Sequence, residues 1–302
     1  MDKKKIGFIG LGIMGKPMAK NLLKAGYELI VNDINKAAAA EIAALGAESA
    51  DTAAEVAAAV DIIITMLPNS PHVTEAVCGK FGIIEKIRPG AVVIDMSSIA
   101  PAASQAIAAK LKEKGAEMLD APVSGGEPKA VDGTLAIMVG GDEKIFGEVR
   151  DILLVMGASA TYVGKIGSGN VAKLANQMIV ALNIAALSEA LVLAAKSGVD
   201  PENVFNAIKG GLAGSAVMNA KAPMMLERNF KPGFRVELHI KDLSNAMDTA
   251  HENSVPVPLT AAALEILQAL KVQGFEAEDH SAILKYYEKL AGMEIGGKND
   301  HV

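Results

Sequence analysis

Three glycines near the amino terminus have the spacing of a phosphate-binding turn. The segment reads Gly10-Leu11-Gly12-Ile13-Met14-Gly15, and it follows a short apolar run and opens a helical pattern. In such a turn the first glycine permits the tight bend, the second lets the backbone approach a pyrophosphate, and the third lets the helix pack close to the sheet. Unpaired N–H groups and the helix dipole favour an anion there. All six residues are predicted to bind a dinucleotide; a turn with only a structural role is the alternative.

A carboxylate follows the second apolar run, where it could recognise a ribose. Asp33 has the offset at which an acid accepts hydrogen bonds from the adenosine ribose hydroxyls. Its charge would repel a 2′-phosphate, and no arginine follows closely, since the next residues are Ile34, Asn35 and Lys36. The sequence therefore predicts NAD as the cofactor, with NADH preferred over NADPH. Lys36 leaves NADPH open, because an ammonium can pair with a phosphate.

Two later apolar runs end in residues that would face the same ligand. Open α/β sheets bind ligands beyond the carboxyl ends of their strands. One such end carries Met66, Leu67 and Pro68, and the next carries Ser97 and Ser98. The first three are predicted to flank the cofactor, and Ser98, or Ser97 beside it, to hydrogen-bond the nicotinamide riboside. The alternative is that a strand-end serine caps the next helix.

A further turn is suited to a carboxylate. The segment Asp120-Ala121-Pro122-Val123-Ser124-Gly125-Gly126 follows a strand pattern and ends in small residues. Exposed backbone N–H groups and a serine hydroxyl can hold an anion without burying a charged partner. Ser124, Gly125 and Gly126 are therefore predicted to bind a substrate carboxylate. A plain Ser-Gly-Gly turn is the alternative.

One lysine lies early in a very apolar helical segment. Lys173 has apolar neighbours on both sides, and Asn176 and Gln177 stand three and four residues later, on the same helix face. Hydride transfer to a carbonyl leaves an alkoxide, and a partly buried ammonium can supply both positive charge and a proton to that oxygen. Lys173 is therefore the predicted general acid, supported by Asn176 or Gln177. The alternative is a surface lysine whose stem crosses apolar surface.

The elements that must position these residues alternate between strand and helix over the first half of the chain. Short apolar runs recur in residues 6–9, 27–31, 61–67, 91–96, 117–119 and 135–139, with helical segments rich in Ala, Lys and Glu between them. This alternation predicts an α/β fold with a Rossmann-type, doubly wound parallel sheet. After residue 164 the strand pattern stops, which predicts an all-α second domain.

The predicted domain boundary lies near residue 166. Residues 1–166 form the predicted NAD-binding domain, residues 167–295 the predicted helical domain for substrate and oligomerisation, and residues 296–302 a disordered tail. A periodic segment from about residue 170 to 196 could bridge both domains as one helix, since it spans roughly 40 Å at 1.5 Å per residue. Its polar residues Asn183, Ser188 and Glu189 favour a buried helix over a bilayer span.

Composition excludes several classes of function. Apolar residues make up 51% and charged residues 21% of the 302 residues, as is typical of a folded protein. The net charge is −6 without a long basic run, so no nucleic-acid partner is expected. The single Cys78 and the lack of a secretory or membrane segment predict a cytoplasmic protein. Because the five histidines are scattered, no metal site is predicted and each histidine is expected at the surface or at a helix cap.

Four segments, taken in order, carry a resemblance to a known family. They are GLGIMGKPMAKNLLKAG from Gly10, DAPVSGG from Asp120, GKIGSGNVAKLANQ from Gly164 and KPGFRVELHIKDL from Lys231. Together they make the chain resemble the β-hydroxyacid dehydrogenase family over essentially its whole length. The resemblance implies a Rossmann domain followed by an all-helical domain, a catalytic lysine at Lys173, and a substrate carboxylate on the Ser124-Gly125-Gly126 segment.

The resemblance also implies roles that residue types alone do not indicate. Lys241 in the fourth segment would reach the nicotinamide end of the cofactor, and Asn176 or Gln177 would orient the substrate. Many relatives have an asparagine four residues after the lysine, where this chain has Gln177, so that role is divided between the two residues. Family members act on small carboxylate-bearing aldehydes or hydroxyacids and are often homodimers or homotetramers.

Two questions stay open at this stage. Several family members reduce related semialdehydes, and one methylene or hydroxyl changes discrimination by about 10- to 200-fold. The amino-acid sequence of residues 173–191, 210–215 and 280–290 most resembles that of one semialdehyde reductase of this family. An interpretation of a different class is a noncatalytic dinucleotide-binding protein that kept the fold, and the presence of Lys173 argues against it.

Overall fold

The computed structural model describes residues 4–296 of the chain. The chain divides into two compact units, Met1–Lys173 and Leu174–Val302, which we call the sheet unit and the helical unit. The predicted boundary near residue 166 lies just before the helix in which this division falls. Of the predicted disordered tail, only Gly296 belongs to the described residues, and residues 297–302 lie outside them.

The described part of the sheet unit is built on one sheet of nine strands. The strands are β1 Ile6–Ile9, β2 Leu29–Asn32, β3 Glu48–Ser49, β4 Ile62–Thr65, β5 Val92–Asp95, β6 Glu117–Asp120, β7 Val123–Ser124, β8 Leu135–Gly140 and β9 Gly157–Gly164. Across the sheet the strand order is β3-β2-β1-β4-β5-β6-β8-β7, and β9 pairs with β8. From β3 to β6 every neighbouring pair is parallel, as the alternating pattern predicted.

Helices cover both faces of this sheet. They are α1 Gly15–Lys24, α2 Lys36–Ala43, α3 Ala53–Ala59, α4 Ser70–Cys78, α5 Pro101–Glu113, α6 Gly126–Asp132, α7 Glu143–Met156 and the start of α8 Ser168–Lys196, with a 3₁₀ turn at Ile83–Glu85. Side chains of each strand alternate between two apolar layers. Phe8 and Ile64 join the layer of α1 and α7, whereas Ile9 and Ile63 join the layer of α3, α4 and α5. The central strands are buried on both faces, as a parallel sheet requires.

One edge of the sheet departs from the parallel pattern. β8 runs antiparallel to β6 and to β7. The chain leaves β6 at the carboxyl edge of the sheet and re-enters through α6, whose seven residues span about 10 Å. Only residues 125–134 separate β7 from β8. A parallel crossover needs a dozen or more residues, so the chain enters β8 antiparallel to β7. The predicted doubly wound parallel sheet therefore has an antiparallel strand at this edge, although β9 pairs parallel with β8 after the longer helix α7.

Up to residue 296, where the described part of the chain ends, the helical unit continues α8 and adds five helices: α9 Pro201–Ile208, α10 Ala216–Leu226, α11 Val236–Glu252, α12 Pro258–Val272 and α13 Leu284–Ala291, with a 3₁₀ turn at His280–Ile283. Its core contains Ile184 and Leu191 from α8, Leu243 from α11 and Leu267 from α12. Residues 174–296 contain no described strand. The predicted all-α second region is confirmed.

Helix α8 has an unusual length and apolar content. Among the described residues it is the one helix long and apolar enough to cross a membrane, with a mean hydropathy of 2.1 over its most apolar window. The protein itself buries 44% of that window. Core helices of soluble proteins that are hydrophobic all round meet the same criteria, so the predicted absence of a membrane segment stays a prediction.

Candidate active site

The strand ends bring the predicted cofactor residues to one edge of the sheet. The register pairs Ile9 with Asn32 on one side and with Thr65 on the other, and it pairs Thr65 with Asp95. These are the last residues of β2, β1, β4 and β5. The segments that follow them carry the glycine turn, Asp33, residues 66–68 and residues 97–98, so all four begin at the edge where open α/β sheets bind ligands.

Each glycine of the turn has its own steric reason. Gly10 has a φ of +96°, and a Cβ there would overlap the carbonyl oxygen of Met66. A Cβ at Gly15 would overlap the carbonyl oxygen of Gly10, so a larger residue would push α1 away from the turn. Beside Gly12, apart from its own chain neighbours, no atom of residues 4–296 lies within 4 Å of that position. The backbone at Gly12 faces open space, and Leu11, Gly12 and Ile13 line a cavity of about 610 Å³ together with α1 residues.

Asp33 is held rigidly beside this turn. Its Oδ2 accepts a hydrogen bond from the backbone N–H of Leu11 at 2.6 Å, and its Oδ1 accepts one from Asn35 N–H at 2.7 Å. Lys36 extends elsewhere, since its Nζ donates to the carbonyl oxygen of Asp51 at 3.0 Å and lies 3.3 Å from the Asp51 carboxylate. The carboxylate therefore contributes a fixed negative charge to the rim of the glycine turn.

The two serines after β5 differ in their surroundings. Ser97 is buried, and its Oγ accepts a hydrogen bond from Leu67 N–H at 2.8 Å. Ser97 N–H in turn donates to Oδ1 of Asp95, which also accepts from Thr65 Oγ1 at 2.8 Å. Burial raises the pKa of Asp95 to about 6, against the opposing effect of these hydrogen bonds. Ser97 thus fixes the strand end, while Ser98 is the partly exposed serine of the pair.

The predicted carboxylate turn joins β7 to α6. Gly125 and Gly126 have φ values of +140° and +70°, and these are conformations that other residues rarely adopt. A Cβ at Gly125 would lie 2.7 Å from the side chain of Lys129. Ser124 is partly buried at the end of β7. The structure therefore has a sharp backbone turn at this segment that requires glycine at both positions.

Asp120 fastens the start of α8. One carboxylate oxygen accepts from Gly167 N–H and the other from Asn170 N–H, both at 2.7 Å. The Asn170 side chain accepts from Ile99 N–H at 3.0 Å and donates to Ser104 Oγ at 3.1 Å. Burial raises the pKa of Asp120 to about 6, although the backbone N–H groups act to lower it. These contacts fix the first turn of the helix that carries Lys173, whose side chain is buried with 6% of the residue exposed.

A chain of polar contacts in the helical unit connects the other predicted residues. Gln177 is buried, and its Nε2 donates to Oδ2 of Asp242 at 2.6 Å. Asn176 Nδ2 donates to Gln177 Oε1 at 2.9 Å. Lys241 Nζ lies 3.0 Å from the other oxygen of Asp242. The structure therefore brings Asn176, Gln177 and Lys241 together through Asp242.

The expectation that every histidine lies at the surface or at a helix cap is wrong for two of them. His239 and His280 are 1% and 5% exposed, and their Nδ1 atoms lie 2.9 Å apart. The cap of the 3₁₀ turn is instead Asp279, which accepts from Ser281 N–H at 3.0 Å. Among residues 4–296, no group of three or more His, Cys, Asp or Glu side chains is placed to hold a metal ion.

Comparisons with known proteins cover almost the whole chain. A family model described as the NAD binding domain of 6-phosphogluconate dehydrogenase matches residues 5–164. A second, described as NAD-binding of NADP-dependent 3-hydroxyisobutyrate dehydrogenase, matches residues 167–287. The chain is 44% identical to 2-hydroxy-3-oxopropionate reductase of Escherichia coli over 96% of this chain and 99% of that protein. This chain belongs to the β-hydroxyacid dehydrogenase family.

Two further relatives show how this dehydrogenase is related within its family. It is 40% identical to 2-(hydroxymethyl)glutarate dehydrogenase of Eubacterium barkeri over 98% of this chain and 99% of that enzyme. The solved structure of Mycobacterium tuberculosis 3-hydroxyisobutyrate dehydrogenase with L-serine has a TM-score of 0.87 and 34% identity, and the match covers 94% of this chain and 98% of that one. Enzymes of the family share one fold and differ in the hydroxyacid named as substrate.

The family membership assigns a nicotinamide dinucleotide cofactor to this dehydrogenase. The sheet unit fits such a group, because the open space beside Gly12 and the cavity over the glycine turn leave room for a pyrophosphate at the start of α1. Asp33 would meet the adenosine ribose there. NAD(P)-dependent oxidoreduction of a β-hydroxyacid is thus the activity of the family to which the chain belongs.

Sequence reasoning missed two acids that hold the candidate residues of this dehydrogenase in place. Asp120 begins one of the recognised segments, and its residue type predicts no holding role. Asp242 lies in another, where residue types alone favour a solvated pair with Lys241, but the structure buries it. Their partners lie 50 and 65 residues away in the chain. The sequence shows only that each segment contains an acid. It does not identify the residue that donates a hydrogen bond to that acid.

Proposed function

We propose that this dehydrogenase reduces 2-hydroxy-3-oxopropanoate, also called tartronate semialdehyde, to D-glycerate with NADH. The 44% identity to the Escherichia coli reductase supports this substrate. Residues 173–191, 210–215 and 280–290 resemble that reductase in particular. The observation that carries the chemistry is Lys173, a buried lysine in the second turn of a helix whose start is held by Asp120.

The residues of this chain supply binding and a proton. When bound, the cofactor supplies a hydride to the aldehyde carbon. Ser124, Gly125 and Gly126 hold the substrate carboxylate through the hydroxyl and the backbone N–H groups. Lys173 donates a proton to the oxygen that gains charge, and Asn176 with Gln177 orients the substrate. In the reverse direction a neutral Lys173 accepts the hydroxyl proton.

The deciding experiment measures oxidation of NADH and of NADPH with tartronate, methylmalonate and succinic semialdehydes and with glyoxylate. Wild type is compared with Lys173→Ala and with Lys165→Ala, whose exposed lysine precedes the same helix. We expect a preference for tartronate semialdehyde, and a loss of about 10²- to 10⁴-fold in kcat in Lys173→Ala alone. Binding of NADH, followed by fluorescence, should survive in both variants.

Other outcomes have definite meanings. Activity in Lys173→Ala that matches Lys165→Ala contradicts the general-acid role. If the enzyme prefers another aldehyde, the proposed substrate is wrong but the proposed mechanism still applies. NADH binding without turnover of any aldehyde supports the noncatalytic dinucleotide-binding protein instead.

A preference for NADH is supported by the position of Asp33. Its carboxylate is fixed by Leu11 and Asn35, while Lys36 contacts Asp51. A 2′-phosphate at that ribose would meet the negative charge. We expect Asp33→Asn to lower the ratio of kcat/KM for NADH over that for NADPH by about tenfold, the effect of one like-charge contact near a protein surface. An unchanged ratio contradicts the role of Asp33.

A second candidate is the oxidation of 3-hydroxyisobutyrate. The TM-score of 0.87 to the Mycobacterium tuberculosis enzyme of that name favours it. Its aldehyde product, methylmalonate semialdehyde, is in the same panel of substrates. A kcat/KM for that aldehyde above that for tartronate semialdehyde would select this reaction.

A further inference from the structure

Two buried histidines lie next to Gln177 and have no part in the proposed reaction. His239 belongs to α11, and His280 begins the 3₁₀ turn His280–Ile283. His239 Nε2 lies 3.1 Å from the backbone carbonyl oxygen of Gln177. Its other nitrogen, Nδ1, lies 2.9 Å from Nδ1 of His280. The pair thus extends from the Gln177 backbone into the interior of the helical unit.

Gln177 is held at two points by the same helix. His239 contacts its backbone carbonyl, and Asp242 accepts from its side-chain amide at 2.6 Å. His239 and Asp242 are three residues apart on α11, so they share one face of that helix. The amide oxygen of Gln177 then accepts from Asn176. The orientation of both candidate substrate residues therefore depends on α11.

The contacts restrict how many protons the two imidazoles can carry. A carbonyl oxygen only accepts hydrogen bonds, so Nε2 of His239 must carry a proton. Between the two Nδ1 atoms one nitrogen donates and the other accepts, which places a single proton there. While both contacts are made, the pair therefore holds two or three protons. A fourth proton would bring two N–H groups face to face at a nitrogen separation of 2.9 Å.

The surroundings favour the third proton on His280. Oδ1 of Asp279 lies 4.0 Å from His280 Nε2, and Lys221 Nζ lies 2.9 Å from that same carboxylate oxygen. The ring of Phe234 meets both imidazoles edge-on, with centroid distances of 5.7 and 5.4 Å. One turn further along α11, Asp242 pairs with Lys241. A negative neighbour favours one positive charge on the pair, and burial disfavours a second.

We propose that His239 and Asp242 are positioning residues that hold Gln177, and through it Asn176, for the proposed reduction, on which this inference rests. Uptake of a fourth proton by the histidine pair separates the two rings and releases the Gln177 carbonyl. In acid the reaction therefore loses kcat, while the cofactor residues of the sheet unit are untouched and NADH binding persists.

The first test measures kcat, KM and NADH affinity of the full chain between pH 4.5 and 9. In His280→Asn the introduced amide can donate to Nδ1 of His239 or accept from it, so His239 can take up a proton without losing its contact. We expect the acid limb of kcat to move down by about one pH unit or to disappear. His251→Asn, an exposed histidine of the same helix, should keep the wild-type profile. If the acid limb of the kcat profile is the same in His280→Asn and in wild type, the proposed role of the histidine pair is wrong.

The second test separates the role of Asp242 from simple stability. Asp242→Leu should lower kcat by about 10- to 100-fold, the range for losing a hydrogen bond to a charged group. Asp242→Asn keeps an oxygen for Gln177 Nε2 and should recover part of that loss. Asp248→Leu changes an exposed aspartate of the same helix and serves as control. Equal kcat in Asp242→Leu and Asp248→Leu contradicts the positioning role.

A third measurement does not depend on turnover. Two-bond ¹H–¹⁵N spectra of the imidazoles in the wild-type chain report which nitrogen carries each proton. We expect Nε2 of His239 to be protonated at every pH at which the fold persists, and a single proton between the Nδ1 atoms above the acid limb. If each histidine instead titrates independently with an ordinary midpoint, the proposed proton sharing between His239 and His280 is wrong. This outcome does not depend on which substrate the enzyme uses.

Discussion

The sheet unit and the helical unit bury carboxylates beside different partners. In the sheet unit, Asp95 and Asp120 accept hydrogen bonds from hydroxyl and backbone N–H groups. In the helical unit, Asp279 lies against Lys221, and Glu288 lies against Arg228 at 2.7 Å. Burial raises the pKa of Asp95 and Asp120 to about 6. For Asp279 burial also acts to raise the pKa, but His280, Lys221 and backbone N–H groups lower it to about 2.

This difference gives these acids opposite contributions to stability as the pH changes. An acid whose folded pKa lies above its unfolded value of about 3.9 is most favourable when protonated, so its contribution to stability falls as the pH rises through 6. An acid whose folded pKa lies below that value contributes stability above about pH 4 and loses it as the pH falls towards 2. Hydrogen bonds alone leave a buried carboxylate costly to ionise, whereas a neighbouring cation makes ionisation favourable.

Asp279→Asn should have the largest effect on the free energy of unfolding. It leaves the ammonium of Lys221, whose side chain is only 14% exposed, beside a neutral amide. Breaking a buried ion pair costs about 3–5 kcal/mol. Urea denaturation at pH 7 and pH 3 should give a smaller loss at pH 3, because the wild-type carboxylate is then closer to its pKa of about 2. An equal loss at both pH values would contradict the assignment.

Asp120→Asn should show the reverse dependence. An amide offers one oxygen, so one of the N–H groups of Gly167 and Asn170 would face an NH₂ group, at a cost of about 1–3 kcal/mol. The contribution of Asp120 to the stability of the wild type should fall between about pH 4 and pH 6 as this carboxyl group ionises. The variant lacks that loss, so its deficit should be larger at pH 4 than at pH 7. If the loss in free energy of unfolding were larger at pH 7 than at pH 4, the conclusion that burial raises the pKa of Asp120 would be wrong.

Asp95→Asn should have a smaller effect on unfolding. The contacts from Thr65 and Ser97 both reach Oδ1, and an asparagine oxygen can accept both. Oδ2 has no hydrogen-bond partner among residues 4–296. At pH 4.5 the variant should lie within about 1 kcal/mol of the wild type, and at pH 7 it should be at least as stable. Thermal unfolding at the two pH values checks this, and a clear loss at pH 7 would count against it.

Lys36→Ala should have the smallest effect on the free energy of unfolding and serves as a reference for the three variants above. Its ion pair with Asp51 joins side chains that are 58% and 88% exposed. Exposed pairs contribute about 0–1 kcal/mol and are screened by salt. The change in unfolding free energy should therefore stay within that range at pH 7, and it should shrink further in 0.5 M NaCl. A loss comparable to that of Asp279→Asn would show that exposure is a poor guide in this protein.

Local pattern was enough to predict the features that depend on neighbouring residues. The glycine turn, the strand ends and the helix that carries Lys173 all follow from spacing within a few residues. The antiparallel direction of β8 does not, because pairing direction depends on where a short connection lets the chain re-enter the sheet. Local sequence patterns identify the segment that contains a candidate site residue. They do not identify the distant group that fixes the position of that residue.

The missed contacts join residues that are far apart in the sequence. His239 and His280 are 41 residues apart, so a survey of histidine spacing finds only scattered residues. Asp120 reaches the start of α8 across 50 residues. Such pairs form when separate elements pack together, and a single sequence contains no periodicity that records them.

Helix α8 places the division between the two units inside one regular element, between Lys173 and Leu174. The separation of Lys173 from Gln177 is then a property of covalent geometry: four residues correspond to about 6 Å along the axis and about 40° around it. One inserted residue between them would turn Gln177 by about 100° about the axis. This stretch should therefore tolerate exchanges of side chain far better than any change in length, in contrast to the loops that join the other helices.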